Sequence, residues 1–223
     1  MKTKDVRGET VYYAESAREM RQMLTSHNTQ LLTQPGSAIA ICQSYDFHNL
    51  DIFVDRMRRD EGYSFQPRYR NRKQFLNFEM EILVSHRTDN NLFSLVGGAR
   101  KMCESFEETA YRELGEETGL SISDLLFLGL VSGGDEMINI YPDGNAAEGI
   151  DALYMAMVPS GSVTRPNAET KEFLWMSPAM IWDKVQKGQW HPAQEKTIKL
   201  FLNSILNLPE ILALKRMQRH VSW

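Results

Sequence analysis

The sequence predicts an α+β fold, on three observations. A strongly patterned helix is expected over 106–118, where Ser105 and Glu108 make a capping box, Gly119 supplies a stop, and Phe106, Ala110 and Leu114 form an apolar stripe. Short apolar runs of strand length recur at 37–43, 78–87, 92–96, 125–131 and 150–158, separated by polar or glycine-containing segments. Two further helical patterns, over 177–187 and 193–206, follow the last of these runs.

With 223 residues the chain can bury a substantial core, as one elaborated domain or two small units. Its formal net charge of −4 argues against general affinity for duplex nucleic acid. It contains no apolar run of about eighteen residues and no charged-then-apolar leader, so neither a membrane span nor a secretion signal is expected. Cys42 and Cys103 lack the spacing of a metal site or a disulfide framework and read as reduced thiols in a cytoplasmic compartment.

Taken in order, a polar opening leads into a helix expected over 16–32, with Ala17, Met20, Met23 and Leu24 on its apolar positions. Pro35 and Gly36 break the pattern before the buried strand at 37–43. An insert over 44–77 follows. Between Arg56 and Lys73 it carries seven cations against Asp60 and Glu61, interleaved with Tyr63, Phe65 and Tyr69. Guanidinium groups beside aromatic faces can stack a base and hold its phosphates, which makes Arg68, Tyr69 and Arg70 candidate substrate-binding residues; the plainer alternatives are a solvated excursion or a dimer contact. Strands at 78–87 and 92–96 then lead to Gly97.

The stretch from Gly97 to Leu120 concentrates the chemistry. On a helix Glu113, Glu116 and Glu117 stand at i, i+3 and i+4 and project from one side. Their repulsion near the negative end of the helix dipole calls for a compensating cation, and hard oxygen ligands favour Mg²⁺ or Mn²⁺. Arg112 can pair with Glu108 or Glu116 and orient the cluster. A solvated acidic face would not need the Gly97-Gly98 turn, Glu104, or this order of arginine, glutamates and glycine.

Beyond this stretch come a strand at 125–131, a polar loop over 132–149 and a strand at 150–158. A loop from Asn167 enters an edge strand ending near Met176, and Ser177 caps a helix with Pro178 at its first position. After the helix at 193–206, a last helix over 209–220 has Leu212, Leu214 and Met217 on its apolar positions, with Lys215, Arg216 and Arg219 suiting its dipole.

Gly98, Glu104, Arg112, Glu113, Leu114, Glu116, Glu117, Gly119 and Leu120 match, without departure, the nine fixed positions of the box of the Nudix hydrolase family, which the chain resembles. The resemblance implies an α/β/α sandwich with a mixed central sheet, here with an extra N-terminal helical segment and the insert before the box. It divides the chain into an N-terminal extension (1–36), a Nudix domain (37–207) and a C-terminal helix (208–223). It also implies an enzyme acting on phosphoric anhydride bonds, hydrolysing the diphosphate of a nucleoside diphosphate linked to a further group, with divalent metal held by the box. A looser similarity of Tyr141 to Gly144 with Glu148, and of the segment from Gly188 onward, to ADP-ribose and ADP-sugar pyrophosphatases suggests ADP-ribose, an ADP-sugar or NADH as substrate, cleaved to AMP.

The resemblance assigns Glu113 and Glu117 as principal metal ligands, Glu116 to a second ion and the Gly97 carbonyl to the first. Glu104 then contributes water-mediated metal contacts or fixes the loop, and Arg112 orients the cluster. A later glutamate, with Glu169 first, Glu172 second and Glu148 also open, serves as a further metal ligand or as the base; Glu113 and Glu169 are the competing bases, and Glu148 is also a candidate substrate-binding residue. Cys103 occupies a free position of the box and is assigned to packing, and His48 and His191 read as hydrogen-bonded structural residues. Two other functions stay open: hydrolysis of a capped RNA 5′ end through the basic insert, and a regulatory module that binds a nucleotide without cleaving it. The expected partner is a small-molecule nucleotide with no membrane, and the resemblance suggests a homodimer.

Overall fold

The computed structural model describes residues 2–6, 9–13, 32–44, 80–122, 124–134, 137–140, 146–162 and 164–207. The helix expected over 16–32 lies, but for Leu32, outside the described residues, as do the insert with Arg68, Tyr69 and Arg70, His48, and the helix over 209–220.

Strands β1 (Lys2–Val6) and β2 (Glu9–Tyr13) pair antiparallel as a separate two-stranded sheet. The main sheet is built from β3 (Leu32–Ser44), β4 (Glu81–Arg87), β5 (Phe93–Ser94), β6 (Val96–Ala99), β7 (Leu126–Ser132), β8 (Ile138–Ile140), β9 (Ala146–Pro159) and β10 (Thr170–Met176). Its spine runs β10-β4-β3-β9-β7, with β5 on β4, β6 on β3 and β8 on β9. Among the described strands of this sheet only β3 and β9 pair in parallel, so the sheet is mixed. Helix α1 (Phe106–Thr118) follows β6, and α2 (Pro178–Gln186) and α3 (Pro192–Leu206) follow β10.

Strand alternation divides the core into two layers. Ile39 and Ile41 of β3, Leu83 of β4 and Ala152 and Tyr154 of β9 face α1, where Ala110 and Leu114 meet them. The intervening Ala38, Ala40, Cys42, Ile82, Val84, Leu153 and Met155 face Ile181 and Val185 of α2 and Ile198, Phe201 and Ile205 of α3. This is the α/β/α sandwich the sequence implied. Among the described residues no helix is long and apolar enough to cross a membrane.

Three local differences bear on the site. β3 begins at Leu32 and runs through Pro35 and Gly36, where the sequence suggested a break. Pro35 lacks an N–H, but its carbonyl accepts from the Arg100 N–H at 2.9 Å, so the strand keeps a useful edge. Gly97 and Gly98 do not form a turn but lie in β6, opposite Ala38 and Ser37. β9 starts at Ala146, which puts Glu148 in a strand and not in the loop the sequence suggested. The β1–β2 pair had a faint signal, the Thr, Val and Tyr of Glu9–Tyr13 after Arg7-Gly8, that the polar composition of Lys2–Val6 concealed.

Leu114 is buried where α1 meets the sheet, so Leu114→Ala is expected to lower stability by about 2–5 kcal/mol, measured as a reduced urea midpoint at constant m-value.

Candidate active site

Caps and packing fix α1 before its carboxylates do anything. The Ser105 hydroxyl accepts from the Glu108 N–H at 3.1 Å, Glu108 Oε2 accepts from the Ser105 N–H at 2.7 Å, and Gly119 closes the helix at φ 71°. The Ser37 hydroxyl, from the sheet, donates to the Phe106 carbonyl at 2.6 Å. With Ala110 and Leu114 held in the core, the helical period turns Glu113 and Glu117 toward β6 and leaves Glu116 exposed.

Gly97 and Gly98 permit that approach. Gly97 has φ 147°, and a Cβ there would fall 2.1 Å from the Ser37 carbonyl oxygen. A Cβ on Gly98 would stand 2.5 Å from Glu113 Oε1. The absent side chains are therefore what lets the strand lie against the glutamates, and the Gly97 N–H donates to Glu117 Oε1 at 3.1 Å.

Arg112 gathers the rest. Its Nε donates to Glu104 Oε1 at 2.7 Å and its Nη2 to Glu104 Oε2 at 3.0 Å, a two-point grip. Nη1 donates to Glu113 Oε1 at 2.6 Å and to Glu116 Oε2 at 3.0 Å, and Nη2 reaches the Ala99 carbonyl at 3.0 Å. Of the two pairings open in the sequence the structure uses Glu116, because Glu108 is committed to its capping box. The Arg112 hydrogen bond, with the Lys101 N–H, holds the Glu104 carboxyl down at about 2, while the three glutamates push the guanidinium upward. Glu104 also accepts from the Lys101 N–H at 2.9 Å and the Thr109 hydroxyl at 3.0 Å, so it braces the loop before the helix. Glu116 is lowered by Arg112 and then by Lys101, whose Nζ stands 3.3 Å away.

Among the described residues no cation is hydrogen-bonded to Glu117 in this way. Burial pushes its carboxyl up to about 8; the Gly97 N–H and Arg87 oppose this, while Glu113 and Glu169 add to it. Among the described residues, as they are disposed here, no three acidic or metal-ligating side chains form a ready coordination shell, since Glu104, Glu113 and Glu116 converge on Arg112. The donor set still fits a hard divalent cation: it is all oxygen, and Glu117 is buried within reach of two further negative charges.

The other candidates separate clearly. Glu169, preceding β10, is held through its backbone: its carbonyl accepts from the Thr88 N–H at 2.9 Å and its N–H donates to Asn167 Oδ1 at 2.9 Å. Its charge reaches Glu117. Glu172 is instead bonded to the His86 ring at 3.1 Å. Glu148, on β9, alternates with Gly149 and Asp151 and so lies on the α1 face. Cys103 is exposed with φ 65°, which corrects its assignment to packing. His191 precedes α3 without capping it, and its buried Nδ1 finds no hydrogen-bond partner among the described residues, contrary to the hydrogen-bonded role expected of it.

A cleft of about 670 Å³ runs from Gly97, Gly98 and Ala99 between β3, β9 and the start of α3. At one side stands Arg87, held by Asp89 through two hydrogen bonds of 2.9 Å. Asp151 of β9 lines the same cleft. Neither Arg87 nor Asp151 stood out in the sequence. Arg87 ends a strand like many a surface cation, and Asp151 interrupts an otherwise apolar strand, a signal that an isolated acid in IDALYMAMV could have supplied.

The family model for the NUDIX domain matches residues 71–201. A MutT-like protein of Streptomyces ambofaciens is 30% identical over 104 residues, covering 47% of this chain and 60% of that protein, so the match spans well under two thirds of the relative's length. A putative NUDIX hydrolase from Listeria monocytogenes superposes with TM-score 0.48 at 16% identity, over 79% of this chain and 96% of that one. The NUDIX domain of Shewanella oneidensis NrtR, complexed with ADP-ribose, gives 0.44 at 14% identity, over 88% and 97%.

Burial also raises the Asp151 carboxyl, from the ordinary 3.8 to about 6, against a weak hydrogen bond from Thr197. A raised acid holds its proton more firmly folded than unfolded, so its contribution is complete below pH 4 and is lost as pH rises to about 6. Asp151→Asn should flatten that fall and raise stability at pH 7, by at most about 3 kcal/mol, in urea unfolding followed from pH 4 to 7.5.

Proposed function

The chain belongs to the Nudix family, and from that premise we propose that it is a metal-dependent pyrophosphohydrolase. Its substrate is a nucleoside diphosphate linked to a further group, with ADP-ribose, an ADP-sugar or NADH leading, and one product is AMP. The observation that carries this reading is the buried Glu117 carboxylate, set against β6 and within electrostatic reach of Glu113 and Glu169. A cluster of that charge beside a nucleotide-sized cleft is suited to an anionic substrate only when a cation joins it.

Mg²⁺ or Mn²⁺ is the cation proposed, held by Glu113 and Glu117 with the Gly97 carbonyl, and by Glu116 for a second ion. Such an ion neutralises phosphate oxygens and lowers the pKa of water. The chain's own residues do the rest. Arg112 orients Glu113 and Glu116, and Glu104 fixes the loop that carries them. Arg87, at the cleft wall, faces the phosphates.

Of the two candidate bases Glu169 is preferred. Glu113 Oε1 is already tied to Arg112 at 2.6 Å, whereas among the described residues no ion pair claims the Glu169 carboxylate. In this role Glu169 takes a proton from the attacking water as its oxygen bonds to phosphorus and the bond to the bridging oxygen breaks.

The test is product chromatography with ADP-ribose, NADH, diadenosine polyphosphates, nucleoside triphosphates and a short capped RNA, in Mg²⁺ and in Mn²⁺. AMP from ADP-ribose or NADH is the expected result; cleavage of the capped RNA alone would transfer the assignment to that substrate. Glu169→Gln is expected to lower kcat by roughly 10²–10⁴-fold with little change in metal affinity. The same loss in Glu113→Gln at unchanged metal affinity, but not in Glu169→Gln, would make Glu113 the base.

A further inference from the structure

The cleft beside the carboxylate cluster has a second acidic feature that the hydrolytic reading leaves unused. Asp151 lies on the α3 face of β9, paired in register with Gly36 of β3. Its Oδ2 is 3.4 Å from the hydroxyl of the fully buried Thr197, a long contact and its sole hydrogen bond among the described residues. An ionised carboxylate offers about four acceptor positions, so most of its capacity is unspent on the protein.

The surroundings keep that capacity accessible from the cleft. A Cβ at Gly36 would stand 3.1 Å from Asp151 Oδ1, so the glycine leaves that oxygen uncovered. Of the other polar side chains of the cleft, Gln194 and Arg87 are committed elsewhere, whereas the His191 Nδ1 has no partner among the described residues. Gln194 accepts from the Leu95 N–H at 2.7 Å and donates to the Leu95 carbonyl at 3.4 Å, and Arg87 is clamped by Asp89. A ligand that brings N–H or O–H donors to Asp151 would offset its desolvation, whereas a phosphate would be repelled. The phosphates therefore belong toward Arg87 and the box, and the organic half toward Asp151. Met137 and Pro192, lining the same cleft, give that half apolar walls.

We propose that Asp151 is a specificity-determining residue, its carboxylate accepting hydrogen bonds from the donors of the nucleoside half of the substrate, either a base amine or a ribose hydroxyl. This rests on the nucleotide reading of the cleft. Thr197 holds the carboxylate from the protein side, and the ligand satisfies the side that faces the cleft.

The experiment is calorimetric titration of the full chain with Mg²⁺ and three ligands: AMP, purine riboside 5′-monophosphate, which lacks the base amine, and 2′-deoxy-AMP. Wild type is expected to bind one of the latter two about 10–100-fold more weakly than AMP, as loss of a hydrogen bond to a charged group predicts. Which ligand loses affinity identifies the donor. Asp151→Asn should narrow that gap several-fold, and Thr197→Val, which keeps the carboxylate, should preserve it. The wild-type series needs no variant, so a misfolded Asp151→Asn would still leave the discrimination measured. Equal affinity of wild type for all three ligands overturns the proposal, as does an equal loss across all three in Asp151→Asn, which would mark a structural acid only. If wild type binds none of them, the nucleotide reading of the cleft falls as well, so the two failures are told apart.

Discussion

The grip of Arg112 on Glu104, Glu113 and Glu116 is the constraint on which the site depends. One guanidinium joins the loop before α1 to two successive turns of that helix, and through the Ala99 carbonyl to the end of β6. Without it, the carboxylates would repel one another near the negative end of the helix. The grip requires a helix already fixed in phase, which the capping box and the burial of Ala110 and Leu114 supply. It also requires a strand that can lie against the glutamates, which only glycines at 97 and 98 allow.

Arg112 reaches three glutamates and leaves out the fourth. Glu117 is not among its partners, is half-buried, and takes one N–H from Gly97. The site thus divides into a neutralised half, organised by an internal cation, and a half whose charge is left to whatever binds there. The cleft repeats the division at larger scale. Arg87 is restrained at one wall by Asp89, and Asp151 sits under the start of α3 with little to bond. A ligand that is anionic in one part and rich in donors in another would match both walls.

Much of this was legible in the sequence where chemistry and period coincide. The helix over 106–118, its caps and its cluster follow from local spacing, and the strands at 125–131 and 150–158 and the helices after them differ from the structure by a few residues at their ends. What was not legible depends on tertiary approach. Gly97 and Gly98 read as a turn because glycine pairs favour turns, but the demand on them comes from Ser37 and Glu113, residues distant in sequence. Pro35 read as a break because proline lacks a donor, yet the strand needed only its carbonyl. Glu169, Glu172 and Glu148 could only be ranked in the sequence, whereas the fold bonds Glu172 to His86 and strand register puts Glu148 on the α1 face. Arg87 and Asp151 acquire meaning only when β3, β9 and α3 enclose a common space.

Mn²⁺ titration followed by electron paramagnetic resonance tests whether Glu117 completes the proposed site for a divalent cation. Wild type should deplete the free Mn²⁺ signal saturably, and Glu117→Gln, with its fold verified by circular dichroism, should bind at least about 10-fold more weakly, the scale of a lost charged ligand contact. Equal Mn²⁺ affinity in the two proteins, or no depletion by wild type, would contradict the account.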